Sequence, residues 1–296
     1  MNIQACALST SKSIIWLPLL FIIMWSSGYV AGKIGIAHTG PFTLIFIRFS
    51  SAAFILFLIA ILTKAPWPNS WRKVGHIAMV GILIQVLQFG GVYSGLAQGV
   101  SAGISALIVG SMPIFVALGS GWVLAEKISS KQWQGLFIGL IGVALVISNK
   151  VSLDNTVSLA GYFYVFLALI GITAGTLYQK RFCADMDLRT GGVIQLGVAA
   201  VFTYILAWQN EALVVDWSVQ LVFSVAWLSL VNSIAAISIL YVLIRQGEAS
   251  RVASLFYLIP PTTAIMGWLI LGEQLSTMVI LGFMVASIGV YLSTKK

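Results

Sequence analysis

Long apolar stretches separated by short polar connections follow one another through the whole chain of 296 residues. The stretches are about 18–25 residues long, which is the length that an α-helix needs to cross a bilayer. The pattern therefore predicts ten membrane-spanning helices, and the connections leave no room for a soluble domain. The expected spans are Ile14–Ile34, Phe42–Leu62, Val74–Leu96, Ala102–Leu124, Trp133–Ser148, Leu159–Gln179, Thr190–Trp208, Val219–Leu243, Ala249–Leu271 and Thr277–Leu292.

One of these stretches occurs twice, as Ala102–Ser129 and as Ala249–Ser276, with a proline near the middle each time. The matching pairs, each 147 residues apart, are Pro113 and Pro260, Glu126 and Glu273, and Ser129 and Ser276. A constant offset of about half the chain indicates a duplication. We therefore expect two five-helix repeats, 1–150 and 151–296. Because five is odd, the second repeat crosses the membrane upside down, and inverted repeats around a midplane site are typical of secondary transporters.

The charge content agrees with a membrane protein. Charged residues make up 8% of the chain and hydrophobic ones 59%, whereas a soluble domain has about a quarter of its residues charged. The net charge of +8 lies mostly in the connections. If the N-terminus is cytoplasmic, almost all Lys and Arg fall on the cytoplasmic side, and only Lys33 and Lys150 on the other. This asymmetry predicts that both termini are cytoplasmic, and it explains the basic charge without a nucleic-acid partner.

Polar side chains inside the spans are candidates for substrate contacts. Gln85 and Gln88 are three residues apart on the third span, and Asn232 lies within the eighth. Such amides can bind a substrate or hydrogen-bond neighbouring helices. Arg48 is the one charge well within a span. It can face a transport pathway, or it can reach the interface or a structural partner instead. Lys33 is expected to be an interface anchor.

Aromatic residues and prolines mark further candidate positions. Deep aromatic side chains, which line a cavity for an apolar or aromatic substrate or simply pack, are Trp25, Tyr93, Trp227, Tyr241, Phe256 and Tyr257. Pro113, Pro260 and Pro261 interrupt the fourth and ninth spans. A proline removes a backbone donor from a helix, so each site is a hinge, a lining of the pathway or a static kink.

The acidic residues restrict the chemistry that the chain can perform. All eight lie in connections or at span ends, and proton or sodium coupling usually needs an embedded carboxylate. We therefore expect facilitated diffusion or exchange. Glu126 and Glu273 are expected to have structural roles near the positive ends of the helices that follow them. Because no metal-ligand spacing, phosphate loop or catalytic triad is present, we predict no metal, no cofactor and no enzymatic activity.

The chain resembles the EamA family of the drug/metabolite transporter superfamily. The resemblance is carried by WSSGYVAGKIGI in the first span, GPFTLIFIRFSSAA in the second, and the two P-x12-E-x2-S endings in a ten-span chain. It implies a ten-helix inverted-repeat transporter of the bacterial inner membrane, often an exporter of amino acids or other small metabolites. It also implies a central cavity lined by spans one, three, four, six, eight and nine, which are the spans that hold Trp25, Gln85, Gln88, Pro113, Asn232 and Tyr257.

The sequence therefore predicts export of a small metabolite by alternating access, most simply an amino acid, with a hydrophobic or aromatic one as the narrower expectation from the deep aromatic residues. Its partners are the small-molecule substrate and the lipid bilayer, and the oligomeric state is left open. One alternative is an importer of a nucleoside, a sugar or a vitamin-like metabolite. An alternative of another class is a membrane-embedded enzyme that modifies lipids, for which no acid or histidine constellation is visible.

Overall fold

The computed structural model describes residues 10–123, 129–153, 158–239, 243 and 256–294. Within these ranges the chain forms helices at ten successive positions, which we number α1 to α10. The helices are α1 Thr10–Ile36, α2 Pro41–Leu62, α3 Trp71–Ala97, α4 Ala102–Gly110 continuing as Met112–Val123, α5 Ser130–Leu153, α6 Leu159–Phe182, α7 Leu188–Asn210, α8 Val219–Ile239, α9 Ile259–Leu271 and α10 Thr277–Thr294.

Length and composition make six of these helices able to cross a membrane, and shorter apolar helices occur at the positions of α4, α5, α9 and α10. The predicted all-α polytopic membrane fold is thereby confirmed. Most helices begin where a small polar residue caps the first turn. The side chains of Ser101, Ser158 and Ser218 each accept a hydrogen bond from a backbone N–H of α4, α6 and α8, which satisfies donors that a helix start leaves unpaired.

Two of the helices contain π-helical segments at matching places in the two repeats. The segments are Gly81–Gln88 within α3 and Trp227–Ala236 within α8. A π-helix bonds residue i to i+5, which widens the helix and changes the direction of the side chains that follow. The apolar pattern of the sequence gives no sign of this change, because both helix types bury one face.

The two repeats meet along α5 and α10, which are antiparallel. A side-chain carbon at Gly142 would collide with Ala286 and with the carbonyl oxygen of Gly282. One at Gly289 would collide in the same way with Gly139 and with the carbonyl of Gly135. These two contacts are images of each other under the 147-residue offset, and they run in opposite directions along the two helices. The repeats are therefore inverted with respect to each other, as expected from five spans each. Their boundary between 150 and 151 stays a prediction.

Two faces of the bundle can be defined by their connections. The Lys33 face carries 37–40, 98–101, 211–218 and 272–276, which are joined by contacts such as the isolated β-bridge between Thr39 and Val215. The Pro66 face carries 63–70 and 183–187, where Thr190 Oγ1 donates to the carbonyl oxygen of Pro66 at 2.8 Å.

Candidate functional site

A cavity lies between the repeats, where α1, α4, α6 and the start of α9 come together. The space that water-sized spheres can occupy in it is about 20 Å³, room for about one water molecule, and the 310 Å³ of empty space around the lining includes open solvent. Its lining residues are Trp25, Tyr29, Ala106, Val109, Gly110, Met112, Pro113, Ile172, Phe256 and Ile259. Residues of both repeats contribute, so a relative movement of the repeats would change its shape.

The cavity exists because α4 and α9 are both irregular at this level. The first part of α4 ends at Gly110, Ser111 forms a turn, and the helix resumes at Met112 with Pro113 in its first turn. Proline is well tolerated there, since the first N–H groups of a helix have no partner in the helix. In α9 a 3₁₀ turn, Phe256–Leu258, leads into a helix whose first turn holds Pro260 and Pro261.

An aromatic cluster forms one wall of the cavity. The ring centroids of Phe21, Trp25 and Phe256 are 5.4–5.6 Å apart, and Phe256 meets both other rings edge to face. Such geometry is favourable for aromatic rings. The Trp25 indole N–H and the Tyr29 hydroxyl form no hydrogen bond with another residue in the part of the chain that the structure describes. The wall is thus apolar, except for these two hydrogen-bonding groups, which have no partner among the described residues.

Asn232 and two residues near it on α8 fix the position of α1 rather than line the cavity. The Asn232 amide nitrogen donates to the backbone oxygen of Met24 at 2.6 Å, and the Trp227 indole donates to Ser27 Oγ at 2.8 Å. Ser224 Oγ donates to the oxygen of Ala31 at 2.6 Å. The close approach depends on Gly28, where a side-chain carbon would lie 2.6 Å from Asn232 Nδ2. The Asn232 amide oxygen is buried and accepts no hydrogen bond from the described residues.

Arg48 is buried in the bundle and does not reach the interface. Its guanidinium donates to the Tyr93 hydroxyl at 2.7 Å and to Ser233 Oγ at 3.1 Å, and its central carbon lies 4.4 Å from the centre of the Phe89 ring. Only 3% of Arg48 and 1% of Tyr93 are exposed. These contacts are a structural pairing, one of the two alternatives for Arg48, and neither residue lines the cavity.

Gln85 and Gln88 lie in the π-helical segment of α3, which packs against α6 and α7. Both are buried, and neither side chain hydrogen-bonds to another residue in the described ranges. Buried amides normally have partners, so these two are available to a ligand, although they do not border the cavity.

The remaining candidates are placed as follows. Pro113 borders the main cavity with Trp25, whereas Pro260 borders a smaller one beside α5 and α10, and Pro261 is partly buried. Tyr257 belongs to the 3₁₀ turn that precedes α9, and Tyr241 lies outside the described residues. Sequence reasoning missed Tyr29, although its position one helical turn after Trp25 was a usable signal. It also missed the apolar residues Met112 and Ile172.

Lys33 and Glu273 form an ion pair. Lys33 Nζ lies 2.7 Å from Glu273 Oε1, and the same oxygen accepts a hydrogen bond from the backbone N–H of Ala102 at 2.9 Å. Glu273 therefore interacts with the start of α4 in the other repeat, rather than with the helix that follows it, and Lys33 is not simply an interface anchor. Glu126 lies outside the described residues.

Comparisons with known proteins agree with this architecture. The model of the EamA-like transporter family matches residues 11–148 and again 159–295. A Synechocystis protein named uncharacterized transporter sll0355 is 27% identical over 92% of this chain and 87% of its own. An Escherichia coli protein named probable amino-acid metabolite efflux pump is 22% identical over 94% of this chain and 93% of its own.

A solved crystal structure with 14% identity superposes with a TM-score of 0.66 and covers 95% of this chain and 96% of that one, which shows a shared fold. The family match covers nearly the whole sequence in two repeats, and the relatives carry the names of transporters. This chain belongs to the EamA-like transporter family and is a multi-pass membrane transporter.

Proposed function

We propose that the protein exports a small neutral metabolite, most simply an amino acid with an apolar or aromatic side chain, by alternating access. The observation that carries the proposal is the cavity between the inverted repeats, with its wall of Trp25 and Phe256 and its bordering Pro113. A cavity at the repeat interface beside interrupted helices is where such transporters bind their substrates.

The chemistry of the lining supports a neutral substrate. None of the lining residues is charged, and a net charge is costly to bring into an apolar site without a counter-ion. A zwitterionic amino acid carries no net charge, and its apolar side chain would pack on the aromatic wall. Its polar groups would bond the Trp25 N–H and the Tyr29 hydroxyl. The name of the Escherichia coli relative, a probable amino-acid metabolite efflux pump, supports the same substrate class.

The other candidate residues have supporting parts in this proposal. Gln85 and Gln88 offer amides without protein partners among the described residues, so they would receive the substrate in a second conformation. Asn232 would hold α1 and its Trp25 in place. Tyr93 would keep Arg48 from acting as a free pathway charge. The prolines at 113, 260 and 261 would let parts of α4 and α9 move as separate segments.

The first experiment is a thermal-shift and flux measurement on purified protein. A ligand that binds only the folded state raises its apparent stability, so phenylalanine and leucine should raise the melting temperature more than glutamate or lysine. In proteoliposomes, Trp25→Ala should reduce flux of the preferred amino acid at least about tenfold, because an interface of this kind depends on a few aromatic anchors. The matched control is Trp208→Ala, whose side chain is 69% exposed at the end of α7, and its flux should be unchanged.

Other results would redirect the proposal. Equal losses in both tryptophan variants would contradict a substrate role for Trp25. Flux of a nucleoside or sugar in place of amino acids would support the importer alternative, which uptake into and release from preloaded vesicles can separate from export. Transfer or hydrolysis of a lipid group by the purified protein would support the enzyme alternative.

A second pair of variants tests the polar residues. Gln88→Leu should abolish flux without reducing membrane insertion if the amide receives substrate. Asn232→Leu should reduce both flux and the melting temperature, because it also releases α1. Normal flux in Gln88→Leu would remove Gln88 from the proposed pathway, and normal flux in Asn232→Leu would exclude a role for Asn232 in holding α1.

A further inference from the structure

Glu273 ties together three of the four helices that border the cavity, namely α1, α4 and α9. Its carboxylate oxygen Oε1 lies 2.7 Å from Nζ of Lys33, near the end of α1. The same oxygen accepts a hydrogen bond from the backbone N–H of Ala102, at the start of α4, at 2.9 Å. Glu273 itself lies two residues after Leu271, the last residue of α9. The same three helices provide Trp25, Val109 and Ile259 to the cavity. One carboxylate therefore holds the cavity helices of both repeats together on the Lys33 face.

The contact lies on the Lys33 side of the cavity along α1, α4 and α9. Lys33 follows Tyr29 by four residues and Trp25 by eight, which corresponds to about 6 Å and 12 Å along α1. Ala102 precedes the lining residue Ala106 by four residues along α4. Access to the cavity from the Lys33 face therefore passes the point where Glu273 joins α1 to α4.

The local structure of α9 directs Glu273 to this position. Gly272 has a φ of +67°, a left-handed conformation that favours glycine. It turns the chain so that the Glu273 N–H bonds back to the oxygen of Gly267 at 3.1 Å. A side-chain carbon at Gly267 would lie only 2.6 Å from Glu273 Oε2. Two glycines thus provide the turn and the space that the carboxylate needs.

The Lys33–Glu273 ion pair is partly shielded from water, but it is close enough to the end of the bundle for water to hydrate both residues once they separate. The Glu273 side chain is 11% exposed and that of Lys33 is 28% exposed, so water screens the pair less than it screens a surface ion pair. Both residues lie at the end of the bundle, where they can be hydrated after separation. A buried pair at the midplane would have no such alternative partner.

We propose that Glu273, held by Lys33 and by the N–H of Ala102, is the gate residue of the Lys33 face. While these contacts are intact, the cavity is closed to that face. Their release lets the ends of α1, α4 and α9 separate and admits or releases substrate there. The gate rests on the proposed function only in taking the cavity as the space that it closes.

The test measures access to the cavity directly. A single reporter, Val109→Cys, is placed in the lining of a chain whose Cys6 and Cys183 are replaced by alanine. A membrane-impermeant maleimide is then added to oriented vesicles from the Lys33 face, which labelling of Asp216→Cys in a separate chain identifies. Glu273→Gln removes the charge at nearly constant shape, and Lys33→Met removes its partner.

The matched control is Glu211→Gln. Glu211 also places a carboxylate on a helix start in the other repeat, because its oxygens accept from the N–H groups of Phe42 at 2.7 Å and Thr43 at 2.9 Å. It joins α7 to α2, and neither helix borders the cavity. The control therefore breaks a contact of the same kind on the same face, away from the proposed gate.

We expect roughly tenfold faster labelling of the reporter in Glu273→Gln and in Lys33→Met, because charge-assisted contacts are among the stronger hydrogen bonds and their loss shifts the population towards the open state. Glu211→Gln should label at the parent rate. Unchanged labelling in both gate variants would overturn the proposal, and so would equal acceleration in the control. If Glu273→Gln fails to insert, Lys33→Met decides alone. Faster labelling without amino-acid flux would support the gate and count against the proposed substrate.

Discussion

Arg48 is a buried cation whose surroundings contain hydroxyl groups and aromatic rings, with no carboxylate in ion-pairing distance among the described residues. Tyr93 provides its shortest hydrogen bond. Tyr93→Phe should therefore lower the free energy of unfolding by about 1.5–3 kcal/mol, the usual contribution of a hydrogen bond to a charged group. Chemical or thermal unfolding in detergent measures the change.

Tyr204→Phe is the control for this substitution, because the Tyr204 side chain is 46% exposed and forms no hydrogen bond in the described part of the chain. Its stability should change by less than about 0.5 kcal/mol. Equal effects of the two substitutions would show that the Tyr93 hydroxyl does not stabilise Arg48.

A second comparison is between the stability effects of alanine at two glycines, one packed closely against another helix and one with open space around it. Gly28→Ala should destabilise the protein by about 1–3 kcal/mol, because its methyl group would force Asn232 away from α1. Gly197→Ala in α7 should be neutral or stabilising by up to about 1 kcal/mol, since nothing lies within 4 Å and alanine favours a helix. Melting temperatures of the two variants, measured side by side, test the contact. A neutral Gly28→Ala would contradict it.

At the scale of elements, the interruption of α4 is expected to matter for movement more than for stability. Pro113→Ala restores an N–H and lets the two parts of α4 join, so the melting temperature should stay equal or rise while flux falls several-fold. Pro41→Ala is the control, because Pro41 also occupies a first helical turn but at the start of α2, away from the cavity. Unchanged flux in Pro113→Ala would exclude a hinge at this position.

The start of α7 depends on a charged cap. Asp187 accepts hydrogen bonds from the Arg189 side chain and from the backbone N–H of Arg189, and the hydrogen bond from the Arg189 side chain lowers the pKa of the Asp187 carboxyl. A lowered pKa in the folded state means that the carboxylate stabilises the fold above its ordinary pKa of about 3.9. This stabilisation is lost as the pH falls through the lowered pKa.

The melting temperature of the parent protein should therefore exceed that of Asp187→Asn by a constant amount at neutral pH. The difference should shrink only when the pH falls below about 4. A thermal-unfolding series from pH 7 to about pH 3 measures it. A difference that does not change over this range would contradict the ionised cap.

At the scale of the whole molecule, the orientation in the membrane remains a prediction from the distribution of Lys and Arg. It expects the Lys33 face outside the cytoplasm. Asp216→Cys should then react with an impermeant maleimide in intact cells. Asn69→Cys, in an exposed connection on the Pro66 face, should react only after the membrane is permeabilised. The reverse pattern would invert the orientation.

The sequence was sufficient for the helices and their inverted repetition, because lipid imposes a length on apolar segments and duplication leaves a constant offset. It was not sufficient for the cavity. Met112 and Ile172 are apolar, and the identity of an apolar residue in a membrane protein does not indicate whether it faces lipid, another helix or a cavity. The partner of Glu273 was equally hidden, since the start of α4 approaches it only after the repeats have packed together.

The antiparallel contact of α5 with α10 has a consequence for how this chain can change in evolution. Gly142 and Gly289 hold corresponding places, and each is pressed against the backbone of the opposite repeat. A larger side chain on one of these helices fits only if the facing position on the other helix becomes smaller or shifts. The two duplicated segments therefore cannot diverge independently where α5 contacts α10. Ancestral substitutions here are expected to have arisen in compensating pairs, one in each half of the gene.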